Sequence, residues 1–239
     1  MTITEFSNEF DVLYNNITSN QAPGLDEYEK SVFLTKAQDE IVKAYFDPLG
    51  NKFQEGFDGS EKRQIDFSML MKTANGTPAT SPTINIHTGS NAAYYTLPSD
   101  ILLYINEVLV VTRGTQANTH LTVVPISYVE YNRLMSKPFK RPLKNQAWRL
   151  INNGDSHAYA ELIPGPNDTV TGYIVRYVSR PEPIILADLT GEQLSLGGGV
   201  TTAQTCKLDP ILHEEILQRA VELAKAAYQG SLESQIVLG

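Results

Sequence analysis

The first third of the chain has helical spacing. Ile3, Phe6, Phe10, Leu13 and Tyr14 recur at three- and four-residue intervals, which predicts one apolar face of a short helix. Asn15-Asn16, Ser19-Asn20 and Pro23-Gly24 interrupt it. Asp26 and Glu29 then form a capping signature ahead of Tyr28, Val32, Ala37, Ile41, Ala44 and Tyr45. That stripe predicts a helix of about 20 residues, ending before Asp47-Pro48-Leu49-Gly50. A shorter helix begins near Ser60 and carries Glu61, Lys62 and Arg63. From Thr73 the period changes. Asn75-Gly76-Thr77-Pro78 and Ser81-Pro82 read as turns, followed by short β-rich runs. Strands are expected at Ile84–Ile86, Tyr94–Leu97, Ile101–Thr112, Leu121–Pro125, Ala147–Ile151, Tyr159–Ile163 and Thr169–Val178. One helix interrupts them, with Ser127 and Glu130 as the capping box of Tyr128–Met135.

Residues 179–206 read as loop: Arg180-Pro181-Glu182-Pro183 is stiff, and Gly197-Gly198-Gly199 is flexible. Asp209-Pro210 opens the last helix, with Ile211, Ile216, Ala220, Leu223, Ala224 and Ala227 as its apolar stripe, ending near Gly230. Ile236-Val237-Leu238 then form an apolar tip on a short tail. Helices, then strands, then a helix is the order of an α+β protein. The expected architecture is an N-terminal helical hairpin and a C-terminal helix packed together, with a central antiparallel β-sandwich or barrel. The domains are residues 1–72 plus 207–239, helical, and 73–206, β-rich with an internal helix near 127–135.

Composition narrows the classes. The chain has 239 residues, enough to bury a core without a metal or disulfide. Its single cysteine, Cys206, rules out an internal disulfide framework and a multi-thiolate metal site. No apolar run approaches the ~20 residues of a membrane-spanning helix, and Met1-Thr2-Ile3-Thr4-Glu5 lacks the features of a secretory leader. A net charge of −8 argues against a sequence-reading nucleic-acid binder.

Enzyme signatures fall short. His213-Glu214 starts a zinc-protease pattern, but the second histidine position holds Leu217. The triple glycine lacks the Lys-Ser/Thr of a phosphate loop, and Asp155-Ser156-His157 are consecutive residues in a turn. Cys206 reads as a small buried hydrophobe. The concentrated charge feature is Arg133, Lys137, Lys140, Arg141 and Lys144, interleaved with Pro138, Phe139, Pro142 and Leu143. It reads either as a basic arm gripping an acidic neighbour or a phosphate backbone, or as a solvated loop.

Three phrases in order carry a resemblance. Tyr95-Thr96-Leu97-Pro98-Ser99-Asp100-Ile101-Leu102 leads into a long strand, Tyr177-Val178-Ser179-Arg180-Pro181-Glu182-Pro183-Ile184 ends a later one, and Leu208-Asp209-Pro210-Ile211-Leu212-His213-Glu214-Glu215-Ile216 starts the last helix. The chain resembles the head-to-tail connector (adaptor, tail-tubular, neck ring) proteins of short-tailed phages, and most of all the ring proteins of crAss-like phages. The resemblance implies a non-enzymatic virion protein without cofactor. It would be assembled in the bacterial host cytoplasm and form a ring in the neck, commonly a dodecamer. The ring would join portal to tail and extend the DNA channel. Implied partners are further copies of itself, the portal protein, and other neck ring or tail hub proteins. Genomic DNA would pass without sequence-specific binding, and no membrane is involved. The expected interface residues are Arg133, Lys137, Phe139, Lys140, Arg141, Lys144, Ile236, Val237 and Leu238. The expected channel-facing acidic residues are Glu61, Asp66 and Glu107. The other classes left open are a tail-hub or head decoration protein, or a hydrolase using His157 or His213.

Overall fold

The computed structural model describes residues 1–15, 24–46, 61–80, 92–137, 141–153, 158–192 and 194–238. The chain is α+β, and among the described residues it has five α-helices and an eight-stranded sheet. It divides into two compact units: residues 1–70 with 181–239, and residues 71–180.

The first unit holds α1 (Ile3–Asn15), α2 (Glu27–Phe46), α3 (Glu61–Asp66) and α5 (Pro210–Leu238), α4 belonging to the other unit. Side chains fix the helix starts. Asp26 and Glu29 cap α2 reciprocally, each carboxylate accepting from the other's backbone N–H at 3.1 and 2.7 Å. Thr2 and Glu5 do the same for α1 at 2.7 and 3.3 Å, a signal not used in the sequence reading. Asp209 accepts from the Ile211 N–H at 3.0 Å, with Pro210 at the first helical position.

Phe6, Phe10 and Tyr14 bury one stripe of α1. Leu212, Ile216, Leu217, Ala220, Val221 and Ala224 bury the matching stripe of α5, against which both α1 and α2 pack. Ile211, expected on that stripe, is exposed. The last helix also runs on through Gly230 to Leu238, where a short tail was expected. A single glycine costs a helix only about 1 kcal/mol, and Ser231-Leu232-Glu233-Ser234-Gln235 holds no further breaker.

The buried face of α2 is rotated from the one its apolar residues predict. It carries Lys30, Ser31, Leu34, Ala37, Gln38, Ile41 and Val42, while Ala44 is exposed. The reason lies in residues 182–186, which run extended along this helix. Ser31 Oγ accepts from the Leu186 N–H (2.9 Å), and Thr35 Oγ1 accepts from the Ile184 N–H (3.1 Å) and donates to its carbonyl (3.2 Å). Gln38 Nε2 donates to the Glu182 carbonyl (2.7 Å). Steps of four and three residues along the helix, about 6 and 4.5 Å, set against two residues of extended chain at about 6.6 Å, keep the polar stripe roughly in step with alternate peptides. Residues 181–206 therefore join the helical unit, although the sequence grouped them with the strands. Ile184, Ile185, Leu186 and Leu189 are buried there. Gly197, Gly198 and Gly199 all take positive φ in a tight turn closed by the Leu196–Val200 bridge.

The second unit contains β1 (Met71–Asn75), β2 (Thr77–Ala79), β3 (Ala93–Thr96), β4 (Ile101–Arg113), β5 (Gln116–Pro125), α4 (Tyr128–Met135), β6 (Gln146–Asn153), β7 (Ala158–Ile163) and β8 (Asp168–Ser179). The strand order is β1-β8-β4-β5-β6-β7-β3-β2. The two outermost strands, β1 and β2, are joined by Gly76 alone, so the ends of the sheet meet and the sheet forms a nearly closed barrel. Asn75-Gly76-Thr77-Pro78 has the composition of a simple turn. It is the corner where the chain passes from one sheet edge to the other. A Cβ on Gly76 would lie 2.6 Å from Tyr173 Cδ1 and 2.9 Å from Tyr95 Cδ1, so the close approach of two interior rings requires glycine there. The expected strand at Ile84–Ile86 lies outside the described residues.

The expectation of an antiparallel sheet needs one correction: β5 and β6 are parallel. They are joined by α4, and a parallel pair needs such a crossover. Ser127 Oγ caps α4 by accepting from the Glu130 N–H at 3.2 Å, as the capping box predicted. Leu109, Val111, Leu121, Val123, Ala147, Ala160, Leu162, Tyr173 and Val175 are among the residues that fill the barrel interior. On the outside, α4 covers β6 and β7 through Tyr131, Trp148, Leu150 and Ile163.

Candidate assembly surfaces

Two exposed surfaces stand out. The first is the basic arm in the barrel unit. Arg133 projects from α4 and lies 3.8 Å from Glu130. The helix ends on Ser136, and Lys137, Arg141 and Lys144 continue the exposed positive charge toward β6. Phe139 and Lys140 lie outside the described residues. The base of the arm is anchored by a residue outside the expected site residues. Arg113, at the end of β4, donates to both carboxylate oxygens of Asp168 at 2.6 Å and to the Lys144 carbonyl at 2.5 Å. Apolar side chains stand beside the cations: Leu143 is 68% exposed, and Val129 and Met135 are also exposed.

The second surface is a groove of about 420 Å³ between α2 and α5 in the helical unit. Ile41, Ala44 and Tyr45 line it together with Glu40, Glu215, Gln218, Arg219 and Glu222. Arg219 donates to Glu40 (2.8 Å) and Glu222 (3.0 Å), and the Tyr45 hydroxyl donates to Glu215 (3.3 Å). Three carboxylates against one guanidinium leave the groove acidic. No local motif announces it, because it exists only where residues 40–45 meet residues 215–222.

The expected channel-facing carboxylates separate into two kinds. Glu61 is exposed at the start of α3. Asp66 is 4% exposed and Glu107 6% exposed, so the reading of these two as a channel wall does not match their burial. Glu107 lies inside the barrel, where it accepts a hydrogen bond from the Tyr173 hydroxyl and sits 3.2 Å from Arg149 Nη1. Burial pushes its carboxyl upward, and the Tyr173 hydrogen bond and the positive charge of Arg149 pull the other way. The Arg149 guanidinium also stacks over Tyr104 at 4.1 Å. Ile236, Val237 and Leu238 form the last turn of α5, and their side chains lie outside the described residues.

Two of the groups weighed for catalysis, His213 and Cys206, are built into the packing. The His213 ring is buried against Phe6, with Nε2 3.0 Å from the Leu208 carbonyl and Nδ1 2.6 Å from the Met1 amine. Cys206 donates to Gln38 Oε1 at 3.3 Å, and burial pushes its thiol up to about 11. His157 lies outside the described residues. Among the described residues no cluster of His, Cys, Asp and Glu is arranged to hold a metal. No described helix is long and apolar enough to cross a membrane.

Comparison with known proteins supplies the family. The profile of the phage tail ring protein 3/4 family matches residues 1–235. The chain is 55% identical over 241 aligned positions to "Ring protein 4/5" of Bacteroides phage crAss001, covering 100% of this chain and 98% of the relative. It is 34% identical over 227 positions to "Ring protein 3" of the same phage, covering 94% and 95%. With its profile matched nearly end to end and both relatives aligned over almost their full length, the chain belongs to the phage tail ring protein 3/4 family.

Proposed function

We propose that this chain is a structural subunit of the virion that closes into a homomeric ring, a dodecamer, in the neck of a phage particle. The ring joins portal to tail and extends the channel through which DNA leaves. The observation that carries this reading is the near-complete match to a ring-protein family, with two relatives that are themselves named ring proteins. A closed ring uses heterologous contacts, in which one patch of a subunit meets a different patch of the next. The chain offers two such unlike patches, the basic arm and the acidic groove. The acidic balance of −8 suits a channel that lets DNA slide, since carboxylates repel phosphate whereas clustered cations bind it by releasing counterions. Glu61 is the exposed candidate for that wall among those expected.

The test is the copy number of the chain in purified particles, measured by quantitative mass spectrometry against the portal protein. A one-to-one ratio with a dodecameric portal is expected. Hundreds of copies per particle would make the chain a shell or decoration protein, and its absence would remove the structural reading.

A further inference from the structure

We infer that, in the assembled ring, the described part of the basic arm of one copy, Arg133, Lys137, Arg141 and Lys144, docks into the acidic groove between α2 and α5 of the next copy. The inference rests on the ring reading and adds the two faces that meet. Charge is the first argument. In the arm, Arg133 has Glu130 beside it, while Lys137, Arg141 and Lys144 have no ion-pair partner among the described residues. In the groove, Arg219 is already shared by Glu40 and Glu222, and among the described residues Glu215 meets only the neutral Tyr45 hydroxyl. Each surface therefore carries unmatched charge of the sign the other lacks.

Apolar character is the second argument. The groove combines its carboxylates with Ile41, Ala44 and Tyr45, and the arm places exposed Leu143 and Met135 beside its cations. Both surfaces thus mix charge with apolar area. A contact that excluded water would strengthen each ion pair, whereas isolated exposed pairs contribute little. Geometry of assembly is the third. The arm belongs to the barrel unit and the groove to the helical unit, so the contact joins unlike surfaces. Repeated head to tail, it uses one arm and one groove from every copy, and closure leaves neither exposed.

The test uses purified particles containing the full chain, treated with a zero-length carbodiimide that joins an amine to a carboxylate in direct contact. Covalent multimers are separated on a denaturing gel, and the linked peptides are read by mass spectrometry. The expected links join Lys137 or Lys144 to Glu40, Glu215 or Glu222, in multimer bands and not in the monomer band. Multimers linked only through other segments, or arm lysines linked to a different particle protein, would overturn the inference and leave the ring reading standing. A chain present in particles without any such multimer also overturns it. A chain absent from particles sinks both. As a second readout, Lys137→Glu with Lys144→Glu is expected to cut incorporation into particles at least tenfold. Adding Glu215→Lys and Glu222→Lys to the same copy is expected to restore it; no loss, or no restoration with the fold intact by circular dichroism, contradicts the pairing.

Discussion

Thr35→Val tests why residues 181–206 belong to the helical unit. The substitution keeps the shape and the β-branching of the side chain, so helix propensity hardly changes. It removes one hydroxyl that serves both backbone groups of Ile184, whose residue is fully buried. Leaving a buried polar group unpaired costs about 1–3 kcal/mol. Two such groups set an upper range of about 2–6 kcal/mol, and the rather long 3.1 and 3.2 Å bonds place the expectation near its lower end, about 2–3 kcal/mol. Thr35→Ser, which keeps the oxygen, is the control and is expected to lose less than about 1 kcal/mol. The assay is amide hydrogen exchange at Ile184 together with urea unfolding followed by far-ultraviolet circular dichroism. A loss of about 2 kcal/mol corresponds to roughly 30-fold faster exchange. Equal exchange rates in the two variants, both near wild type, would refute the claim that the side chains of α2 hold this segment.

Other expectations follow from particular contacts. Gly76→Ala pushes a methyl into Tyr173 and Tyr95 and is expected to cost about 1–3 kcal/mol, seen as a lower unfolding midpoint by fluorescence of the single tryptophan, Trp148. Removing one partner of the buried Glu107–Arg149 pair strands the other: Arg149→Met is expected to cost about 3–5 kcal/mol, and the double change Arg149→Met with Glu107→Gln less than the two single changes summed, in a double-mutant cycle. His213 titrates below its ordinary value because burial, first of all, disfavours the imidazolium, with the Met1 amine acting the same way and Leu208 and Asp209 opposing. The unfolded chain then binds the proton first, so this contribution is complete above about pH 6.5 and is lost as pH falls toward the depressed value. His213→Gln is expected to flatten that part of the stability profile in pH-dependent unfolding.

Local chemistry made much of the fold legible. The caps at Asp26, Ser127 and Asp209 act within three residues, and each starts its helix where the sequence placed it. The long strands were legible for the same reason, since β-branched and aromatic runs such as Tyr173–Val178 carry their own signal. What escaped was long-range. Asn75-Gly76-Thr77-Pro78 looks like a turn because the strand character around it is not local: β1 pairs with Ile174–Val178, a hundred residues away, and β2 with Tyr94–Thr96, the two meeting at Gly76. The face of α2 was misjudged because Ser31 and Gln38 are buried for the sake of Glu182 and Leu186, some 150 residues later. Glu107 read as a surface carboxylate until its barrel partners Arg149 and Tyr173 came together around it. Of the candidate surfaces, the arm is contiguous and was visible, while the groove is assembled from two helices far apart in the chain.

Symmetry-averaged electron cryomicroscopy of the neck in intact particles tests the central claim most directly. The account expects a closed ring around the DNA channel, each subunit fitted by the helical and barrel units of this chain. Density for the chain scattered over the capsid shell, or a neck whose rings are all accounted for by other proteins, would contradict it.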